Sequence, residues 1–327
     1  MTKLAIDFGT SVTKIFKLGS GIVLAEATCI TVDRATGEIR AYGNEAKRLL
    51  GKTAEPSEVR FPVYEGEICD ERLASALLEY FLTKVGKRFS IEALFCVPCA
   101  CSEASRAKYR RVAKAAGIAR VSFVESPFLS ALGQDMPLSE HNPVFVIDIG
   151  AGVTSIAAIS LDGVIAGLSM NVGGNNMDKH IIDHIAEIYH LKIGLLTSEK
   201  LKNTVGSFLR EDNQSTIVNG RDVTTGRPRA VSVSSQDVLL PIRVYTDKIL
   251  EYAELVLKKL PAEVSAIVFK SGIFLSGGVS GLSGIADYCA SRLQMEAHVL
   301  GEPQMSVVLG GGRAFGNPVL LSKIVMD

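Results

Sequence analysis

Apolar and polar positions along the chain switch repeatedly between two periods. Strand-length apolar runs occupy residues 3–18, turning at 8–11, and 22–39, turning at 33–37. Similar runs recur at 91–97, 121–125, 144–149 and 153–169, the last two reading as a hairpin. Helical spacing takes over between them. Residues 71–85 set Leu73, Leu77, Leu78, Phe81 and Val85 on one face, and further helices read over 44–51, 127–134, 177–189 and 197–207. Another spans 102–116, with Ser102 as its N-cap. Residues 215–234 return to strand with a turn at 225–226. A long helix over 237–260 tolerates Pro241 in its first turns. A short strand at 273–275 leads through a glycine turn to a helix from about Ser280, and LGGGR at 309–313 precedes a final helix.

Twice, then, a β-meander is followed by alternating helices and strands. That order predicts an α/β chain of two sheet-based domains facing a cleft. No linker interrupts the halves, so a tight hinge is expected. At 327 residues the chain is long enough for two domains. Its 35 Lys and Arg balance 35 Asp and Glu, so no net field recruits nucleic acid or an anionic membrane. Met1-Thr2-Lys3 leads directly into a strand without a signal peptide, and no apolar run reaches the roughly 20 residues of a membrane span. A cytoplasmic protein is expected, with reduced thiols at Cys29, Cys69, Cys96, Cys99, Cys101 and Cys289.

The candidate chemistry lies in a repeat. AIDFGTSVT at 5–13 and VIDIGAGVT at 146–154 share I-D-x-G-x-x-V-T, with Asp7 and Asp148 in the same place. A long-range repeat of this kind suggests two similar halves facing each other. Each copy reads as a strand, a sharp glycine turn and a returning strand. The N–H groups of Gly9, Thr10 and Ser11, and of Gly150, Ala151 and Gly152, can converge on an anion. Two such turns could hold a polyphosphate from both sides, with Mg²⁺ relieving the repulsion from Asp7 and Asp148. Taken singly, each turn is an ordinary hairpin with a capping Asp; the repetition favours the clamp. A third glycine turn, FLSGGVSGL at 274–282, brings a strand to a helix start beside bare backbone. No G-x-x-x-x-G-K-[ST] is present and no G-x-G-x-x-G follows a strand, so neither a P-loop nor a dinucleotide fingerprint competes.

Other constellations read as structural. Cys96, Cys99 and Cys101 have the density of a zinc or redox site but lack a second Cys/His cluster in sequence. His180, Asp183, His184 and Glu187 share one helix face, a solvated one opposite Ile181, Ile182, Ile185 and Ile188. Arg106, Lys108, Arg110, Arg111 and Lys114 make a basic helix that is either solvated or a filament or membrane contact.

AIDFGTSVT, VIDIGAGVT and FLSGGVSGLSGI resemble the first phosphate, second phosphate and adenosine motifs of the actin/DnaK-type chaperone/sugar kinase superfamily. FVESP at 123–127 and VLGGGRA at 308–314 resemble its two connecting motifs. GIVLAEAT, YGNEAKRLLGKT, LEYFLTKV, VGGNNMDKHII and NGRDVTTGRPR extend the similarity nearly end to end, toward the MreB family of bacterial actins. The resemblance implies an actin-like, duplicated ribonuclease H-like two-domain ATPase fold with a nucleotide cleft between the halves. Domain IA would comprise 1–28, 71–142 and 308–327, with insert IB at 29–70; domain IIA would comprise 143–180 and 242–307, with insert IIB at 181–241.

The resemblance also implies ATP or ADP with Mg²⁺. Asp7 and Asp148 would organise the metal through water. Gly9, Thr10, Ser11, Thr13, Lys14, Gly150, Ala151, Gly152, Val153 and Thr154 would surround the phosphates, followed by Gly173 and Gly174. Glu199 and Lys202, spaced E-x-x-K, would contact ribose and base; without the family they read equally as an i,i+3 ion pair. Gly277, Gly278 and Val279 would flank the adenosine. The implied function is filament assembly for cell shape or cell-wall synthesis. Partners would be further copies of the chain and cell-wall or membrane-linked shape proteins, with no nucleic acid and at most peripheral membrane contact. A membrane-binding N-terminal helix has no room before the first strand, and the loop at 87–89 offers one aromatic, Phe89. The other function considered is a non-polymerising nucleotide-binding scaffold or chaperone-like protein; a small-molecule kinase lacks a clear catalytic base.

The motifs depart from the family where catalysis would occur. Ser126 stands where family members carry a Glu before the proline, and Glu125, one position earlier, points to the opposite face of a strand. Val153 replaces a usual Thr, Lys14 matches actin rather than MreB, and Asn175 and Asn176 replace an acidic pair. ATP binding with slow or lost hydrolysis is the expectation.

Overall fold

The computed structural model describes residues 1–86, 90–209 and 211–326. The first half opens with the meander β1 (Thr2–Phe8), β2 (Val12–Lys17) and β3 (Gly21–Ala27). There follow β4 (Ile30–Asp33), β5 (Ile39–Tyr42), helix α1 (Gly43–Arg48), β6 (Ser57–Arg60) and a small hairpin, β7 (Val63–Tyr64) with β8 (Glu67–Ile68). Then come α2 (Glu71–Val85), β9 (Ile91–Val97), α3 (Glu103–Ala115), β10 (Arg120–Glu125) and α4 (Ser126–Gly133). The second half repeats the opening with β11 (Val144–Ile149), β12 (Thr154–Ser160) and β13 (Gly163–Met170). It continues through α5 (Gly174–Tyr189), β14 (Leu191–Lys192), α6 (Leu195–Val205), β15 (Ser215–Asp222), β16 (Pro228–Ser234), α7 (Ser235–Leu257) and α8 (Ala262–Ser271). Last come β17 (Ile273–Ser276), α9 (Ile285–Leu293), β18 (Ala297–Val299), α10 (Ser306–Gly316) and α11 (Pro318–Ile324).

The duplication is visible in topology. One sheet runs β3-β2-β1-β9-β10, the other β13-β12-β11-β17-β18. In each, the signature strand pairs antiparallel with its hairpin partner on one side and parallel with a later strand on the other. Such a central strand is buried on both faces, which is why β1 and β11 read as apolar runs closing on one acid. Each half has its own core, around Phe81 and Phe95 in the first and Ile147 and Ile249 in the second. A third cluster, including Ala5, Leu129, Val146 and Phe315, fills the space between the sheets.

Helices α4 and α10 cross within that cluster at glycines. A Cβ on Gly133 would lie 1.8 Å from the Ser306 carbonyl oxygen, and one on Gly310 would lie 1.8 Å from that of Leu129. Gly311 and Gly312 press on the Ala5 side chain and the Phe16 ring. Each glycine in a helix interior costs about 1 kcal/mol of propensity; close packing on three sides outweighs that here. The sequence reading does not place this run in a helix.

Other departures have local causes. The helix expected over 237–260 stops at Leu257, and after Pro261 the separate α8 follows, missed because it buries only Val268. The helix expected from about Ser280 is a 3₁₀ turn at Gly278–Gly281, with α9 beginning later at Ile285. The short strands β6, β7, β8 and β18 carry too few residues for a period. Ile188, expected on the apolar face of α5, is 42% exposed. The basic face of α3 is a paired surface: Arg106 and Arg110 meet Glu103, Arg111 meets Glu71 and Lys108 meets Glu67. The loop at 87–89 lies outside the described residues. Among the described residues no helix is long and apolar enough to cross a membrane.

The α4–α10 crossing yields a direct test. Gly310→Ala should lower unfolding stability by about 3 kcal/mol or prevent folding. Gly316→Ala, whose Cβ would meet only the Leu18 side chain at 3.7 Å, should be tolerated. Thermal unfolding of the two variants measures the difference.

Candidate functional site

The two hairpin turns are built alike. A Cβ on Gly9 would sit 2.9 Å from the Val12 carbonyl oxygen, and one on Gly150 would sit 2.8 Å from that of Val153. Both positions therefore exclude a side chain for the same reason. The Gly150 N–H donates to Val153 at 2.9 Å, so it closes the hairpin and is not the free donor expected of it. Ala151 and Gly152 at the tip face the cavity.

The turns meet across the cleft. A Cβ on Gly152 would lie 2.7 Å from Thr10 Oγ1 and 3.1 Å from Glu65 Cα. Thr10 Oγ1 accepts from the Gly66 N–H at 3.3 Å, bringing the tip of the β7–β8 hairpin over the same point. Gly66 has φ of +75° and would strike Val153 if it carried a Cβ. Between the halves lies a cavity of about 300 Å³, within the usual range for a small-molecule site.

Of the expected residues, Asp7, Gly9, Thr10, Ser11 and Lys14 line it from the first half. Asp148, Gly150, Ala151, Gly152, Val153 and Gly174 line it from the second, with Gly277, Gly278 and Val279 at the third turn and Glu199 and Lys202 from α6. Gly277 has φ of +82° and comes so close to the Ile149 carbonyl that a Cβ would be 2.3 Å away. Four expected residues sit elsewhere. Thr13 and Thr154 are wholly buried beneath their turns, one bonded to Thr28 at 2.8 Å and the other donating to the Val172 carbonyl at 2.7 Å. Strand alternation explains this: with Lys14 and Val153 facing the cavity, their neighbours face the core. Gly173 is the N-cap of α5, held by the Asn176 side chain at 2.9 Å. Glu125 accepts from the Ala100 N–H at 2.5 Å and is no wall residue of the cavity. Burial raises its pKa, partly offset by that bond.

The two acids differ in charge environment. Asp7 pairs with Lys14 at 2.8 Å, and the two are register partners across β1 and β2. Burial draws the Lys14 pKa down, but Asp7 outweighs it and the net shift is upward. Asp148 stands opposite Ser155, which supplies no charge. Burial and the Asp7 charge push its carboxyl up to about 6, against hydrogen bonding from Ser126 and Ser276 and the attraction of Lys14. Ser126, at the start of α4 in the first half, thus faces the same cavity as this acid of the second half.

Several wall residues escape sequence reasoning. Asp178 forms a buried ion pair with Lys202 at 2.8 Å, and Lys202 also donates to the Gly174 carbonyl at 3.0 Å. One Asp178 oxygen, Oδ1, is buried without a hydrogen-bond partner. Its signal was present: Asp178 is the one acid in GGNNMD, directly after the second hairpin. Asn203, Pro303 and Gln304 complete the wall near the third turn.

The cysteine-rich segment belongs to the contact between halves. Cys99 N–H donates to Ser155 Oγ at 3.1 Å, and its carbonyl accepts from Ser169 Oγ at 2.8 Å. Burial pushes the Cys99 thiol up to about 12. Cys96 lies on the cavity wall. On α5, His180 packs edge-on against Tyr245. Among the described residues, no cluster of three or more metal-ligating side chains is found.

Two sheets of one topology, each delivering an acid and a glycine turn to a shared cleft, define an actin-like protein. The model of the MreB/Mbl protein family matches residues 1–323. The cell shape-determining protein Mbl of Bacillus cereus is 32% identical over 313 residues, covering 94% of each chain. The cell shape-determining protein MreB of Escherichia coli K12 is 32% identical over 320 residues, covering 95% of this chain and 92% of that one. Among solved structures, MreB 5 of Spiroplasma citri bound to AMPPNP matches with TM-score 0.92 at 25% identity, over 99% of this chain and 98% of that one. The chain belongs to the MreB/Mbl family.

Removing one partner of a buried ion pair leaves the other uncompensated. Lys202→Met should lower unfolding stability by about 3 kcal/mol. Adding Asp178→Asn should restore at least half of it. Denaturant unfolding of the single and double variants checks the coupling.

Proposed function

We propose that the chain binds ATP with Mg²⁺ between its two glycine turns and assembles into filaments that guide cell shape or cell-wall synthesis. The observation that carries this is the meeting of Thr10 and Gly152 across the cavity, which lets one polyphosphate contact both halves. The donor set suits Mg²⁺ bound largely by phosphate and water: two carboxylates face the cavity, and Lys14 already neutralises one. Asp7 and Asp148 would hold the metal, which supplies charge neutralisation at the phosphates. Gly277, Gly278 and Val279 would take the adenosine, and Glu199 and Lys202 the ribose and base. The inserts at 29–70 and 181–241 form the walls of the cleft mouth in this reading. A ligand touching both halves favours the closed arrangement, and closure sets the surface that polymerises. The chain is read as a cytoplasmic filament protein whose partners are its own copies and the cell-wall or membrane-linked shape machinery.

Hydrolysis is proposed to be slow. Ser126 occupies the place of a water-positioning Glu, and it brings a neutral hydroxyl to the cavity wall where a carboxylate would orient water. Glu125 is engaged at Ala100 and does not replace it.

Sedimentation and electron microscopy with ATP and with ADP test the reading: filaments that form with ATP and disperse with ADP are expected. Nucleotide binding without any polymer would favour the scaffold function instead. Ser126→Glu should raise ATP turnover about tenfold or more, whereas turnover in the unaltered chain at an ordinary MreB rate contradicts the account of Ser126.

A further inference from the structure

The mouth of the cleft carries contacts that the phosphate turns do not require. Lys47 of α1 places its Nζ 2.8 Å from the Glu199 carboxylate of α6. Lys179 of α5 donates to the Tyr64 hydroxyl at 2.9 Å, and its ammonium lies 5.5 Å from the centre of that ring. Lys47 and Tyr64 belong to the elements after β3 in the first half; Glu199 and Lys179 belong to the second. Each pair therefore bridges the cleft. Between them is a second cavity of about 190 Å³, walled in part by Leu50, Phe61 and Leu195. It shares Thr10, Ser11, Asn175, Asp178 and Glu199 with the main cavity and so adjoins it between the two halves.

We propose that the Lys47–Glu199 and Lys179–Tyr64 pairs are a latch across the cleft mouth, and that their opening sets how fast nucleotide leaves. The inference rests on the nucleotide reading above. The Lys47 and Glu199 side chains are 31% and 28% exposed. Ion pairs of that kind are individually weak and screened by salt, which suits a closure that must reopen. A fully buried pair would resist opening. The placement also gives Glu199 two competing partners. With Lys47 bound it spans the mouth; with Lys47 released it can turn wholly to a sugar hydroxyl. Tyr64 contributes differently: its neutral hydroxyl accepts a hydrogen bond from the ammonium, a contact that salt screens less than an ion pair.

The test is release of a fluorescent ATP analogue from the full-length chain, chased with excess ATP. Lys47→Gln and Lys179→Gln are compared with the unaltered chain and combined. Both side chains lie at the surface of the mouth, and a melting curve for each variant confirms folding. Each single variant should speed release about fivefold and the pair about twentyfold. Release from the unaltered chain should quicken between about 0.05 and about 0.5 M salt, and from the double variant it should not. Release from the double variant that is unchanged or slower overturns the latch alone. Failure of the unaltered chain to bind the analogue overturns the nucleotide reading, and the latch with it.

Discussion

A methyl group at residue 152 would collide with the Thr10 side chain and crowd the backbone of Glu65, so the close approach of the two turns depends on Gly152 having no side chain. Much of the architecture serves that approach. The paired turns at Gly9 and Gly150 leave room for no Cβ, and the hairpin tip at Gly66 fits against Val153 under the same restriction. Behind the cleft, α4 and α10 cross at glycines with backbone nearly touching backbone. The helix crossing behind the cleft and the contact face within it are thus both set by steric limits, and packing of this kind deforms little.

The duplicated halves are not electrostatically equivalent. Where β2 places Lys14 beside Asp7, β12 places Ser155 beside Asp148. One acid is therefore neutralised within its own hairpin. The other is half-buried without a basic partner of its own, and desolvation raises its carboxyl to about 6. Ser126 faces the same cavity from across the cleft with a neutral hydroxyl. A second carboxylate there would add repulsion to a group already short of compensation.

The halves were legible because the repeat I-D-x-G-x-x-V-T marks the same strand twice, and alternation around it marks the partner strands. The strand order of each sheet, with the later parallel strands beside β1 and β11, is seen only in the structure. What escaped was set by tertiary contact. The run Gly310–Gly312 is helical because three neighbours press on it, and no local preference announces this. Helix α8 buries a single residue and leaves no periodic stripe. At the site, the turn residues were readable from their glycines and acids. Thr13 and Thr154 were placed on the wrong face, though alternation past Lys14 and Val153 would have corrected them. Lys47 and Tyr64 could not be found from sequence, since nothing near them in the chain records that α5 and α6 come to lie opposite.

The central claim is that one ligand is gripped from both sides at the two turns. Hydrogen–deuterium exchange with and without Mg²⁺-ATP tests it most directly. The account predicts that peptides covering 8–12 and 149–154 gain protection together, at the same nucleotide concentration. Protection confined to one turn, or absent from both while nucleotide is bound, would contradict it.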